Sequence, residues 1–276
     1  MKKLFITDLD HTLLRNDRSI SRFTIDILNE LVATSYFSIA TARSFYSSSD
    51  IAKQIDINTP MILLDGALVA TKDKKIIDIC TIDKATADMI INEGARLGIY
   101  PFIIALNDEK SMDESFIIPT QLNANQKKVL INYKNDPRVL YEDDIRARDI
   151  NIKLVYFGTQ EELELLDAHL QGIFGDTLEF KLSPEKYFGG YFLTILHTQG
   201  DKAHALKKVC EYHDIDFKDL TVFGDSINDI AMFELAGTSV AVANALDIVK
   251  SKANIILPHT NDEDGVAKYL SKKTIS

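Results

Sequence analysis

Both ends of the chain alternate short apolar runs with amphipathic stretches. Leu4–Thr7 is the first run. Residues 21–33 follow with apolar side chains at Phe23, Ile27, Leu28, Leu31 and Val32, the spacing of one helical face. Residues 36–40 form the next run, 44–55 a second helical stretch, and 61–64 a third run that stops at Asp65-Gly66. Strand, helix, strand, helix, strand predicts right-handed crossovers and a parallel sheet. The same rhythm returns after Tyr191. Strands at 191–196, 220–223, 239–242 and 255–257 alternate there with helices at 202–213, at 229–236 and from near Asp264 onward.

The stretch between follows another pattern. Residues 67–70 and 76–80 flank Lys72-Asp73-Lys74-Lys75 as a hairpin, and a helix is predicted at 84–97. Strands at 100–106, 152–157 and 177–182 then accompany a polar loop at 107–115, the apolar Phe116-Ile117-Ile118 and a helix at 161–173. Such a mixture predicts a separate α+β unit. The expected architecture is therefore α/β, a Rossmann-like parallel-sheet core of residues 1–81 and 189–276 interrupted by an inserted α+β domain at 82–188. Gly189-Gly190 marks the expected second hinge, because glycine absorbs backbone rotation. Phe102, Phe116, Tyr187, Phe188 and Tyr191 read as core of the inserted domain.

Composition narrows the function classes. The chain has 276 residues, 46% hydrophobic and 26% charged, which suits a soluble globular protein with a sizeable core. A formal net charge of -10 argues against a broad nucleic-acid surface. The first apolar run is too short for a signal segment or a membrane span, so a cytoplasmic protein without a membrane partner is expected. Cys80 and Cys210 lack CxxC spacing and read as buried thiols. His11, His169, His197, His204, His213 and His259 show no zinc-ligand spacing.

Two acidic clusters carry the candidate chemistry. Asp8-Leu9-Asp10 ends the first apolar run, and Gly224-Asp225-Ser226-Ile227-Asn228-Asp229 ends a run more than two hundred residues later. In an open parallel sheet, ligands bind beyond the carboxyl ends of the strands. Asp8, Thr41 and Asp225 each follow a predicted strand, so all three fall on one rim. Crowded carboxylates repel one another unless a cation lies among them. Mg2+ suits such a set, with Asp8 and Asp225 as side-chain ligands and the Asp10 carbonyl as another oxygen. A carboxylate can attack phosphorus and form an aspartyl-phosphate. Like charges push the pKa values of Asp8 and Asp10 apart, so that one stays ionised and attacks while the other holds a proton and serves as general acid, then base. Thr41 offers a hydroxyl and Lys202 a point charge to the phosphate.

The arrangement resembles the haloacid dehalogenase superfamily, and within it the Cof-type phosphatases. Asp8-Leu9-Asp10-His11-Thr12-Leu13-Leu14 is similar to the DxDGTL motif, Thr41 to the second motif, Lys202 to the third and Gly224–Asp229 to the GDxxND fourth. Val242-Ala243-Asn244-Ala245 and Asn261-Asp262-Glu263-Asp264-Gly265-Val266 resemble the tail of that subfamily. The resemblance covers essentially the whole chain. It implies a type IIB cap as the inserted domain, selecting the substrate. It also implies Asp8 as nucleophile, Asp10 as acid/base, and Asp8, Asp10 and Asp225 as the magnesium site. Thr41, Arg43, Lys202 and Asn228 would bind the phosphoryl group or substrate, and Asp229 would support the metal shell. The implied activity is a phosphatase acting on small phosphorylated metabolites, sugar phosphates or phosphorylated cofactors; a phosphomutase and a catalytically idle binding protein remain open. His11 stands where the motif commonly has Gly, Ala42 replaces the Gly of TGR, Asp65 the Asn of NGA and Ala243 the Gly of GNA.

Overall fold

The structure is a computed structural model and describes residues 2–108, 112–184 and 189–274. The chain divides into two compact units, Met1–Ile79 with Lys202–Ser276, and Cys80–Asp201.

In the first unit, five strands form a parallel sheet among the described residues. The order runs Ile255–Ile256, Thr238–Ala241, Leu220–Gly224, Leu4–Thr7, Tyr36–Ile39. Leu4–Thr7 is buried throughout, as expected of a central strand with both faces covered. Strand order reverses between Leu4–Thr7 and Leu220–Gly224: one leads outward to Tyr36–Ile39, the other to Thr238–Ala241. Such a switch point opens a crevice at the carboxyl ends of its two strands. Arg22–Leu31 packs against Gly265–Thr274, and Lys202–His213 against Ile230–Leu235. Ser21 and Ser44 cap the helices Arg22–Leu31 and Phe45–Gln54, accepting from the N–H groups of Thr24 and Ser47.

Met61–Leu63 departs from the expected parallel series. One parallel bridge, Ala40 to Ile62, ties it to the core strands. Its ladder is instead antiparallel, with Leu68–Ala70 and then Ile76–Ile79. Leu64 and Asp65, both at positive φ (51° and 64°), and Gly66 at 113° reverse the chain directly after Leu63, which leaves no room for a crossover helix.

The second unit carries a six-stranded sheet among the described residues, in the order Leu178–Pro184, Tyr191–His197, Ile150–Gly158, Phe102–Asp108, Asp113–Pro119, Val139–Glu142. The helices Lys84–Arg96 and Gln160–Phe174 bury Ile90, Leu163, Leu166 and Leu170 with Ile103, Leu154, Tyr156 and Leu193. Phe102, Ile104, Phe116, Val155 and Phe157 alternate with that set; they face Val129, Leu130 and Tyr133 around the helix Ala124–Leu130 instead. Phe102 and Phe116 are core, and Tyr191 packs on the helical-side cluster, as expected; Tyr187 and Phe188 lie outside the described residues.

Three further sequence expectations need correction. Tyr191–His197 belongs to the inserted unit, not to the core, because it pairs antiparallel with Leu178–Pro184 and Ile150–Gly158. The unit therefore runs to Asp201 rather than 188, and starts at Cys80 rather than 82. The expected hinge fails for the same reason. Pro184 pairs with Tyr191, so Gly189-Gly190 sits in the connection of a hairpin inside the unit; its neighbours 185–188 lie outside the described residues. Of the expected polar loop at 107–115, residues 107–108 and 113–115 are hairpin strand, with Asp108 paired to Asp113, while residues 109–111 lie outside the described residues.

Candidate active site

The two central strands end side by side. Thr7 pairs with Phe223, and the Asp8 N–H donates to the Phe223 carbonyl at 3.0 Å. Asp8 and Asp225 thus leave the sheet from adjacent strands at its carboxyl edge, as the sequence predicts. Both are buried, and so is Asp229. Carboxylate oxygens of Asp8, Asp225 and Asp229 lie within 4.8 Å of one another.

Lys202, at the start of its helix and 1% exposed, bridges two of them. Its Nζ donates to Asp8 Oδ1 at 2.7 Å and to Asp229 Oδ1 at 2.8 Å. Asp229 is fully engaged, since its Oδ2 accepts the N–H groups of Asp225 and Ser226 at 3.0 and 3.1 Å. It therefore fixes both the Asp225 loop and the lysine. Gly224 makes this possible: a Cβ there would lie 2.6 Å from Asp229 Cβ, Cγ and Oδ2. Thr12 donates to Asp225 Oδ1 at 3.0 Å.

Burial is the largest influence on Asp8 and pushes its carboxyl well above the usual range; Lys202 opposes this, while Asp229 and Asp225 add to it. For Lys202, burial favours the neutral amine, but Asp229 and Asp8 outweigh it and hold the ammonium above its ordinary value. Three buried carboxylates against one ammonium leave a surplus of negative charge.

Asp10 lies in a single wide turn, Leu9–Leu13, closed by the Leu14 N–H on the Leu9 carbonyl at 2.8 Å. Asp10 is extended, and His11 is left-handed at φ 61°. A side chain other than glycine costs about 1–2 kcal/mol there, which accounts for the common glycine of the motif. The Asp10 carboxylate meets Arg43, whose Nε donates to Oδ2 at 2.8 Å and Nη2 to Oδ1 at 2.5 Å. Crowding by Asp8 was expected to set the two aspartates apart. The structure separates them by partner instead: Lys202 holds Asp8, and Arg43 holds Asp10.

Thr41 is fully buried beside this edge. Its N–H donates to the Ile62 carbonyl at 2.9 Å, its carbonyl accepts from the Asp65 N–H at 3.1 Å, and its hydroxyl accepts from the Arg43 N–H at 3.1 Å. The αL residue Asp65, in place of the usual Asn, thus braces the Thr41 strand end through its backbone. Asn228 lies on the Asp225 loop and accepts from the Ser226 hydroxyl at 2.5 Å. The third member of the buried carboxylate cluster is Asp229 rather than Asp10, whose side chain turns to Arg43. Thr12 carried a signal for its role, as the hydroxyl two positions after Asp10; Asn244 and Asn261 stand in the tail motifs, but their contacts with this turn, Asn244 Nδ2 on the His11 carbonyl and Asn261 Nδ2 on the Leu14 carbonyl, come only from the fold.

Three comparisons agree with this geometry. The sequence profile of the haloacid dehalogenase-like hydrolase family matches residues 5–270. The chain is 26% identical over 275 residues to 5-amino-6-(5-phospho-D-ribitylamino)uracil phosphatase YitU of Bacillus subtilis, covering 98% of this chain and 96% of that protein. It is 24% identical to a phosphoglycolate phosphatase of Methanopyrus kandleri, covering 99% and 97%. Among solved structures, a Thermotoga maritima protein superposes with a TM-score of 0.81 at 26% identity, over 99% of this chain and 97% of that one. A haloacid dehalogenase-like hydrolase of Bacteroides thetaiotaomicron gives 0.83 at 19% identity, over 99% and 100%, and supports the fold. The chain belongs to the haloacid dehalogenase-like hydrolase family, as an enzyme of phosphatase type.

Proposed function

We propose that the protein hydrolyses phosphate monoesters of small metabolites, sugar phosphates or phosphorylated cofactors, through an aspartyl-phosphate on Asp8 and with Mg2+. The observation that carries this reading is the placement of Asp8 at the switch point of the sheet, with Lys202 on one oxygen and Asp225 beside it. The names of the relatives support the substrate class, since both activities remove phosphate from a small organic ester.

The donor set fits a magnesium ion. All its members are hard oxygens, they are buried, and their charge exceeds that of Lys202. Asp8, Asp225 and the Asp10 carbonyl would hold it, with Asp229 as support. Bound there, it offsets the carboxylate charge and polarises the phosphoryl oxygens.

The chain's own groups perform the steps. An Asp8 oxygen attacks phosphorus, the ester P–O bond breaks, and Asp10 gives its proton to the leaving alkoxide. Water then attacks the phosphorus, Asp10 takes the water's proton, and the P–O bond to Asp8 breaks to release inorganic phosphate. Lys202, Thr41, Asn228 and Arg43 bind the phosphoryl group, and Arg43 exchanges its Asp10 contact for substrate. The unit Cys80–Asp201 selects the substrate, and the protein works in the cytoplasm. Among the described residues, no helix is long and apolar enough to cross a membrane.

A panel of phosphorylated metabolites assayed with Mg2+ tests this reading. Free phosphate should appear, and Asp8→Asn should reduce its release at least about 1,000-fold. Activity surviving that substitution removes Asp8 as nucleophile.

A further inference from the structure

The turn that carries Asp10 is gripped by the far end of the chain. Asn261 is 2% exposed, and no step of the proposed reaction uses it. Its Nδ2 donates to the Leu14 carbonyl at 2.9 Å and to Asn16 Oδ1 at 3.1 Å. Leu14 is the residue whose N–H closes the turn. The neighbours of Asn261 extend the grip. Asp262 accepts the Asn16 N–H at 2.8 Å and the Asn16 side-chain amide, and Asp264 accepts from Arg15 Nη2 at 3.0 Å. The Asn261 N–H donates to Asn244 Oδ1 at 2.9 Å, and Asn244 Nδ2 donates to the His11 carbonyl at 2.7 Å.

We infer that Asn261, with Asn244, Asp262 and Asp264, is a positioning clamp that holds the Leu9–Leu13 turn in its active shape. The physical need lies in His11. A left-handed histidine is less favourable than a left-handed glycine, so the turn is inclined to relax by rotating at that residue. Relaxation through the Asp10–His11 peptide would reorient the Asp10 carbonyl. The strand fixes the near end of the turn, through the Asp8 N–H on Phe223. Toward the far end, Thr12 holds Asp225, and the clamp holds the carbonyls of His11 and Leu14. Asn261 acts through the turn and touches no reacting atom. The inference rests on the catalytic roles proposed for Asp8 and Asp10.

A cycle with His11→Gly tests it. Glycine makes the left-handed position unstrained, so the turn should keep its shape with a weakened clamp. Asn261→Asp removes the two donated hydrogen bonds at nearly constant volume and keeps the backbone link to Asn244; Asn244→Asp, at an exposed site, is the second variant should the first not fold. With p-nitrophenyl phosphate and Mg2+, Asn261→Asp should lower kcat about tenfold and change KM less than about twofold, the mark of an interaction realised in the transition state. His11→Gly alone should leave kcat within about twofold. In the His11→Gly background, the loss on Asn261→Asp should shrink to about threefold or less. Amide exchange at Leu14 should speed up in Asn261→Asp and return toward wild type in the double variant, a readout independent of turnover. Equal kcat losses in both backgrounds, or unchanged Leu14 exchange, overturn the clamp. Absence of phosphate release from the wild type overturns the proposed reaction instead, and Leu14 exchange still decides the clamp.

Discussion

Lys202 in the first unit and Arg138 in the second are both buried cations held between two carboxylates. Lys202 bridges Asp8 and Asp229, with Asp225 near by. Arg138 donates to Glu114 Oε2 at 2.8 Å and grips Asp136 with Nε and Nη2 at 2.9 and 2.6 Å, and its guanidinium lies 4.2 Å from the Phe116 ring centroid. The electrostatic outcomes differ. Hydrogen bonds from Arg138 hold the Asp136 carboxyl below its usual range, whereas burial and like charges push Asp8 up. A planar fork with a ring behind it suits a structural cluster. A point charge outnumbered by carboxylates leaves a site that still calls for a cation. A buried cation between two carboxylates therefore serves stability in one place and, with a third carboxylate beside it, the proposed chemistry in the other.

Removing the central carboxylate should separate the two cases most sharply. Asp8→Asn should abolish turnover yet raise Tm in metal-free buffer by about 2–4 °C, roughly 1 kcal/mol, because it relieves repulsion while Lys202 keeps Asp229. The sign follows from linkage. A carboxyl whose pKa rises on folding is least favourable when ionised, so the wild type loses stability as pH rises from its unfolded value, about 3.9, toward the folded one. The gain in the variant should vanish in acid and grow with pH; thermal scans across that range read it. Millimolar Mg2+ should raise the Tm of the wild type and not of the variant. A fall in Tm for Asp8→Asn would place Asp8 with Asp136, as a structural partner.

Arg138→Met should do the reverse. Glu114, with its side chain 1% exposed, loses a hydrogen-bonded cation, and breaking a buried pair costs about 3–5 kcal/mol. Asp136 sits nearer the rim at 13%, so the lower end of that range is expected in urea unfolding. Loss below about 1 kcal/mol would mean that the cluster contributes no more than a surface pair.

The contrast also explains what was legible in the sequence. Asp8, Asp225 and Thr41 could be placed because each follows an apolar run, and the ends of parallel strands must lie on one edge. The Gly224 to Asp229 spacing was readable as one loop. The partners of Asp10 and Asp229 were not, because Arg43 and Lys202 reach them with long side chains whose direction no spacing encodes. The inserted unit suffered more. Tyr191–His197 reads as a core strand when only its apolar run is seen, since a hairpin partner leaves no mark on periodicity. The edge strand Val139–Glu142 is too short and exposed to give one. The helix Ala124–Leu130 did leave a signal, the capping box Asn123 with Gln126, which an apolar-spacing search passes over.

Gly224→Ala tests how closely the site depends on backbone approach. The added methyl carbon meets the Asp229 carboxylate at 2.6 Å, so Asp229 must move and carry Lys202 and the Asp225 loop with it. Overpacking of this kind costs about 1–3 kcal/mol. Turnover should fall about 10–100-fold, on the scale of one lost hydrogen-bonding contact at a reacting centre. A matching substitution far from the site in the same unit, with equal loss of stability and full turnover, would confirm that the effect is local.

The smallest effect concerns a cation that is disfavoured outright. His213 stacks on Tyr36 at 3.8 Å, and its Nε2 is buried without a hydrogen-bond partner. Burial, then the charge of Lys2, holds its pKa below the usual value. Among the described residues, no carboxylate forms an ion pair with it as Asp8 and Asp229 do with Lys202. A histidine depressed on folding contributes stability above its unfolded pKa, about 6.5, and loses it as pH falls from there toward the folded value. His213→Phe keeps the stack and removes the proton. Between pH 7.5 and 5.5, the variant should lose less Tm than the wild type, by an amount below about 1 kcal/mol because solvent screens a half-exposed ring. Parallel Tm curves for the two proteins would mean that His213 carries no net proton linkage, and that the unpartnered nitrogen is satisfied by water in solution.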